Sequence, residues 1–141
     1  MHGAIRTAII EKLQGLVEES DSPLAAAYRT PRSQVEGTPF AVVSPSERQA
    51  DFASTGSVDR LTFVFVVHIY NRLTNEDTRE AEELFLENCV DDVLMLFAQR
   101  NALDPACDWV APVPGAWSEE TVADGVYLKA TITLNCVKYT G

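Results

Sequence analysis

Arg60–Asn71, RLTFVFVVHIYN, is the stretch from which the fold is read. Leu61, Phe63, Phe65, Val67 and Ile69 fall on one side, and Thr62, Val64, Val66, His68 and Tyr70 on the other. That is the period-two pattern of a β-strand. The first face is wholly apolar and calls for a layer of helices. The second is mixed, and its apolar middle at Val64 and Val66 needs its own cover, whether another strand, a loop or another subunit.

The next segment supplies a helix. Leu73–Asp77 reads as the turn into it, with Thr74 or Asn75 as cap and Glu76, Asp77 and Glu80 suited to the positive end of the helix dipole. The helix is expected to run to about Arg100. Its inner stripe is Ala81, Phe85, Cys89, Val93 and Leu96, widened by Leu86 and Phe97. Glu76, Glu80, Glu83, Glu87 and Asp91 cluster opposite, while Glu82 and Asp92 sit nearer the apolar side and need partners or a rim position. Glu76–Asp92 carries eight of the chain's 21 acidic residues against one basic residue, Arg79. Most of the molecule's negative field therefore originates here, on what is first a solvated helix face. Towards its end the helix becomes apolar all round, with Leu94 and Met95 outside the stripe. Such an end is expected to meet a loop or a neighbouring subunit.

Working outward, Gly3–Glu19 predicts a first helix with Ile5, Ile9, Leu13, Leu16 and Val17 on one face, ended by Ser20–Pro23. Leu24–Thr38 reads as irregular or a weak strand, and Pro39–Ser44 as a short strand. Ser44–Asp59 is polar and suits a mobile loop or an extended hairpin arm. Asn101–Asp124 is broken by Pro105, Pro112 and Pro114, with Trp109–Ala111 as a short strand inside it. Gly125–Tyr139 alternates cleanly and closes the fold. The expected fold class is α+β over residues 1–141: a small antiparallel β-sheet with two helices packed on one face, order α-β-β-α-β-β, with long loops.

Composition narrows the function. Apolar residues make up 46% and charged residues 23% of 141, ordinary for one globular domain. The net charge of −10, with 11 scattered basic residues, disfavours a nucleic-acid surface, which needs clustered Lys and Arg. No apolar run is long enough for a membrane span, and Met1–Glu19 does not read as a secretory leader. The default location is intracellular, or in a particle assembled inside a cell. Cys89, Cys107 and Cys136 are an odd set without CxxC spacing, so neither a disulfide framework nor a zinc site is expected; Cys89 and Cys136 read as small buried hydrophobes.

Catalytic signatures are missing. GxSxG, GxxxxGK[ST], HExxH and GxGxxG do not occur. His2 is terminal, and His68 has no nameable partner. The helix carboxylates do not follow a calcium-loop spacing. An assembly component is expected rather than an enzyme, with no cofactor and no metal.

Contact residues are sought instead on the loops, because structureless loops beyond roughly 12–15 residues are usually functional or disordered. Trp109 is expected in the core, and Trp117 in either core or interface. Phe52 either tucks onto the sheet or anchors a partner. The expected interface set is Arg48, Phe52 and Asp59 on the polar arm, Leu94 and Met95 on the helix, and Trp117.

Several segments together carry a resemblance: the helix MHGAIRTAIIEKLQGLVEE, the strand PFAVVS before a polar arm, the strand RLTFVFVVHIYNR, the helix EDTREAEELFLENCVDDVLMLFAQR and the strand GVYLKATITLNCVKYTG. In pattern and element order the chain resembles the tail-terminator (tail-completion) proteins of long-tailed bacteriophages. The likeness covers most of the chain without a short diagnostic motif. It implies a homo-oligomeric, typically hexameric, ring that caps the tail tube and ends its polymerisation. The implied partners are the tail-tube protein and a head–tail connector or neck protein, with DNA passing through the lumen unbound. The implied location is the virion tail or neck, assembled in the host cytoplasm. Other phage neck or tube components share the pattern, and a small ligand-binding α+β domain is the rival from another class.

Overall fold

The structure, a computed structural model, describes residues 2–19, 24–29, 39–45, 51–55, 58–73, 76–99, 102–122 and 125–140; at 2, 51–55, 58, 59, 76, 122 and 140 only the backbone is described. Two helices lie against one face of a mixed sheet, so the fold is α+β. The elements are helix α1 (His2–Val17), strands β1 (Ala26–Tyr28), β2 (Phe40–Pro45), β3 (Asp51–Thr55) and β4 (Val58–Leu73), helix α2 (Arg79–Ala98), and strands β5 (Trp109–Val122) and β6 (Gly125–Thr140). One turn of 3-10 helix, Glu76–Thr78, leads into α2. Thr74 and Asn75, the expected caps, lie outside the described residues.

The sheet order is β1-β2-β4-β6-β5, with β3 also on β4. β4 and β6 form its spine, paired from Asp59↔Thr140 to Leu73↔Val126. β2 and β3 share one edge of β4 end to end: β2 pairs with Phe65–Tyr70 and β3 with Val58–Thr62. β1 runs parallel to β2, which makes the sheet mixed rather than antiparallel as expected. β1 is three residues long, and alternation cannot be read from so short a run. It is buried throughout and is held by α1. Arg6 Nη2 donates to the carbonyls of Arg29 (2.6 Å) and Val43 (2.9 Å), and Arg29 Nη1 donates to Thr7 Oγ1 (2.9 Å).

The apolar face of β4 does what its pattern dictates. Phe65, Val67 and Ile69 join Ala41 and Val43 of β2 and Leu128, Ala130, Ile132, Leu134 and Cys136 of β6 under both helices. From α1 come Ile5, Ile9, Leu13 and Leu16, as expected, with Ile10. Phe65 has no exposed surface, and truncating such a side chain to alanine costs about 3–5 kcal/mol.

α2 is rotated from its expected setting. Its buried residues are Leu86, Cys89, Val90, Val93 and Phe97, spaced i, i+3, i+4, i+7 and i+11. Ala81 and Phe85, expected inside, are exposed, and Leu96 is half-buried. The two stripes share Cys89 and Val93. The expected widening by Leu86 and Phe97 is also present; the observed stripe adds Val90 and leaves out Phe85 and Ala81, a small residue that buries little. Asn71, a buried polar residue of β4, fixes the setting by donating from Nδ2 to the Glu82 carbonyl (3.0 Å).

Of the two alternatives for the arm Ser44–Asp59, the structure has the hairpin: it contains β3, paired antiparallel with β4. The other long segment is a strand over most of its length. Asn101–Asp124 contains the 14-residue edge strand β5. Pro112 and Pro114 are tolerated because they lie on an edge: two residues apart, their missing N–H groups fall on the same, unpaired side. Between Pro114↔Ile132 and Trp117↔Ala130 the register shifts, so that Gly115 and Ala116 oppose Thr131 alone. Trp109 pairs with Val137 on the face away from the helices, and is 43% exposed rather than in the core.

Candidate functional site

The face of the sheet turned from the helices carries a second cluster: Ala26, Tyr28, Phe40, Val42 and Tyr127, with Tyr70 packed against it. Strand parity builds it. Phe40 pairs with Tyr70, Tyr127 follows on β6, and β1 adds Tyr28. The Phe40 ring stacks on Tyr70 (centroids 5.0 Å apart) and meets Tyr127 edge-on (5.8 Å). This aromatic packing shields the Tyr70 end of the outer face.

Beside the cluster stands a polar group. Ser44 Oγ and His68 Nε2 are 2.9 Å apart, so the partner missing for His68 at the sequence level is Ser44. Both lie on the outer face, diagonal to one another across the β2–β4 ladder. Lys129 Nζ sits 5.7 Å from the Tyr70 ring centroid and 3.5 Å from Glu120 Oε2. Burial, then the Lys129 charge, lowers the His68 pKa from its usual value, partly countered by Glu120. Burial, the Glu120 charge and a hydrogen bond with Glu120 push the Tyr70 hydroxyl up to about 12.

Chemically, the Ser44–His68 contact is half of a nucleophile–base arrangement. A working set needs a third group to orient the imidazole. His68 Nδ1 is buried, and among the described residues nothing bonds to it. The lowered pKa keeps the ring neutral at pH 7. The polar group therefore reads as a packed tie between β2, β4, β6 and β5. Among the described residues no His, Cys, Asp and Glu cluster has metal-binding geometry. No helix of the described residues is long and apolar enough to cross a membrane.

The expected contact residues do not converge. Arg48 lies outside the described residues. Phe52 and Asp59 are placed by backbone only, Phe52 opposite Leu61 in the β3–β4 hairpin and Asp59 opposite Ser54 and Thr140. Leu94 is half-buried against the core rather than free for a partner, while Met95 is 67% exposed. Within one chain this end of α2 is therefore left uncovered at Met95, and of the two expected covers, a loop or a neighbouring subunit, no described loop supplies it. Trp117 is 41% exposed on β5, opposite Ala130 and so on the helix side of the sheet. Leu84 and Phe85 on α2, and Val113, Val126 and Tyr139 on β5 and β6, are exposed as well. Trp109 Nε1 donates to Tyr139 Oη (3.2 Å), and Tyr139 N to Asp108 Oδ2 (2.6 Å), so the aromatic pair on the outer face is held in place. Of this exposed set, sequence reasoning found Met95 and Trp117. Trp109, Val113, Leu84 and Phe85 depended on recognising the length of β5 and on the rotation of α2.

A groove of about 470 Å³ lies between α1 and the turn 102–106. Ala8, Gly15, Leu16, Leu96, Ala102 and Leu103 give it an apolar wall, and Glu11, Glu19 and Asp104 acidic groups, with Lys12 the one base. On the other side of the molecule Arg79 ties α2 to β5, donating to Glu83 Oε1 (3.1 Å) and to Glu119.

Comparison with protein-family models and with curated proteins gave no match.

Proposed function

We propose that this chain is a structural component of a phage tail, one copy of a ring that caps the tail tube, ends its polymerisation and offers the surface for head–tail joining. The observation carrying this is the edge strand β5. Among the described residues it pairs with β6 alone, and over 14 residues it exposes Trp109, Val113 and Trp117. Long edges with large apolar side chains are avoided by proteins that stay monomeric. Contact between copies accounts for both properties. Met95, Leu84 and Phe85 on α2 supply further apolar surface, and heterologous contacts of unlike patches close into rings when the rotation permits. The resemblance rests on element order, and α1, β2, β4, α2 and β6 occur in that order. The adhesive surface, expected on the long loops and the apolar end of α2, is assigned here to β5 and the exposed side of α2.

Light scattering and electron microscopy of the purified protein, with and without tail tubes, test the proposal. Discrete rings that bind tube ends are expected. Filaments would instead indicate a tube protein. A strict monomer that ignores tube ends overturns the proposal.

The second reading, a small ligand-binding domain, has the α1 groove in its favour. A ligand-dependent rise in melting temperature across a metabolite panel, abolished by Gly15→Trp, would support it over the ring.

A further inference from the structure

The groove along α1 combines an apolar floor with an unpaired acidic rim. Its α1 wall is formed by Ala8, Glu11, Lys12, Gly15, Leu16 and Glu19, whose spacing i, i+3, i+4, i+7, i+8 and i+11 is one helix face. From Ala8 to Leu16 the wall runs about 12 Å, at about 1.5 Å per residue. Leu16, Ala102 and Leu103 on the floor are buried, and Leu96 is half-buried. A Cβ at Gly15 would meet nothing within 4 Å, so the wall is open there. On the rim, Glu11, Glu19 and Asp104 are exposed, and among the described residues none of them has a hydrogen-bond or ion-pair partner. The acids beside β5 differ: Arg79 holds Glu83 and Glu119, and Lys129 holds Glu120. Main-chain groups of the far wall are engaged. The Leu103 carbonyl accepts from Ala106 N (2.8 Å) and Cys107 N (3.4 Å), and the Pro105 carbonyl from Lys138 Nζ (3.3 Å).

We propose that this groove binds a small lipophilic cation, an amine carried on an aliphatic chain. The chain lies over Leu16, Leu96 and Leu103, and the ammonium group sits among Glu11, Glu19 and Asp104. Charge selects the class. Three acids against one base, Lys12, in a chain of net charge −10, disfavour phosphates, carboxylates and a second copy of this chain. Size selects within the class. The groove's volume of about 470 Å³ falls within the range of small-molecule sites, roughly 300–1,000 Å³. A helical peptide, about 10–12 Å across, would need a far broader trough over the same length. An extended peptide needs main-chain partners, and two carbonyls of the turn are already engaged. An ammonium group brings three donors to the rim carboxylates and leaves no polar atom over the apolar floor. The proposal rests on the groove of the ligand-binding reading, but the site lies within one copy. It uses no residue of β5 or of the exposed side of α2, so it stands apart from the ring.

The test is titration of the full chain at neutral pH with n-octylamine, n-octanol and octanoate in turn, followed by NMR of the backbone amides. Saturable shifts are expected at residues 8–19 and 102–106. Octylamine should bind roughly tenfold more tightly than octanol, and octanoate most weakly. Glu11→Gln with Asp104→Asn should bring octylamine to the octanol level. Gly15→Trp should abolish binding of both while leaving the melting midpoint nearly unchanged, because position 15 is exposed. Shifts that do not saturate, shifts centred elsewhere, or equal affinity for octanol or octanoate would overturn the proposal. Binding of a lysine-rich peptide without binding of the amine would also overturn it, and would give the groove to a protein partner. A monomer that binds octylamine counts against the ring alone; rings that ignore octylamine count against this site alone. The wild-type shift map and the order of affinities decide even if Gly15→Trp does not fold.

Discussion

At the scale of single residues, Tyr70 is the side chain whose surroundings give the sharpest consequence. It stacks on Phe40, lies under Lys129 and hydrogen-bonds Glu120. Its hydroxyl is raised to about 12 from 10, so the folded state holds that proton more tightly than the unfolded chain does. The resulting stability is complete below pH 10 and is lost as pH climbs from 10 to 12. Because the residue is only partly buried, solvent screening reduces the effect to on the order of 1 kcal/mol. Urea titrations between pH 9 and 12 should show that loss in the wild type beyond the loss in Tyr70→Phe; parallel curves would refute it. His68 works in the opposite sense. Its pKa is lowered on folding, so its stability is present above pH 6.5 and is lost as pH falls below that value. His68→Gln should therefore flatten the acid side of the stability profile between pH 7 and 5. Neither environment was legible in the sequence. His68 and Tyr70 were placed on the correct face by parity, but Ser44, Lys129 and Glu120 reach them from three other strands, and no local pattern encodes strand order.

At the scale of elements, what could be read depended on length. β4 and β6, sixteen residues each, and the two helices announce themselves by sustained periodicity. β1 is too short to show a period, β3 is polar, and β5 is disguised by Pro112, Pro114 and the glycine between them and Trp117. Gly115 shows why β5 reads as a loop and yet is a strand. A Cβ there would collide with Thr131 Oγ1 and crowd the Thr131 carbonyl at 3.1 Å. At the bulge the Thr131 side chain occupies the space that a Cβ at 115 would need. Gly115→Ala should destabilise the protein by about 1–3 kcal/mol. Thr131→Ala removes the colliding oxygen, so the double variant should recover most of that loss in a double-mutant cycle. Additive effects would mean that the bulge relaxes elsewhere. The helix rotation was a different kind of miss. Cys89 and Val93 belong to both candidate stripes, and the choice fell to tertiary contacts, Asn71 on the Glu82 carbonyl and Arg79 on Glu119.

At the scale of the whole molecule, the layering followed from one strand's alternation, whereas the exposed apolar surface followed only in part, through Met95 and Trp117. It was sought on the end of α2 and on two long segments, of which one holds the hairpin strand β3 and the other the long strand β5. The proposed ring must also bring together copies that each carry a net charge of −10. The carboxylates of α2 at Glu80, Glu87 and Asp91 are exposed, near the apolar side chains of Leu84 and Met95. If copies associate through Trp109, Val113, Trp117 and the apolar side of α2, charge opposes association and salt relieves it. The screening length falls from about 30 Å at 0.01 M to about 10 Å at 0.1 M salt. The assembled fraction at fixed protein concentration should therefore rise several-fold over that range, and Glu87→Gln with Asp91→Asn should reproduce part of the gain at low salt. Met95→Asp should oppose assembly at every salt concentration while leaving the melting midpoint nearly unchanged, because Met95 contributes little to the core. Sedimentation velocity across the salt series separates the cases. Dissociation of rings by added salt would mean that ion pairs, not apolar surface, hold the copies together, and β5 would lose its place as the main contact.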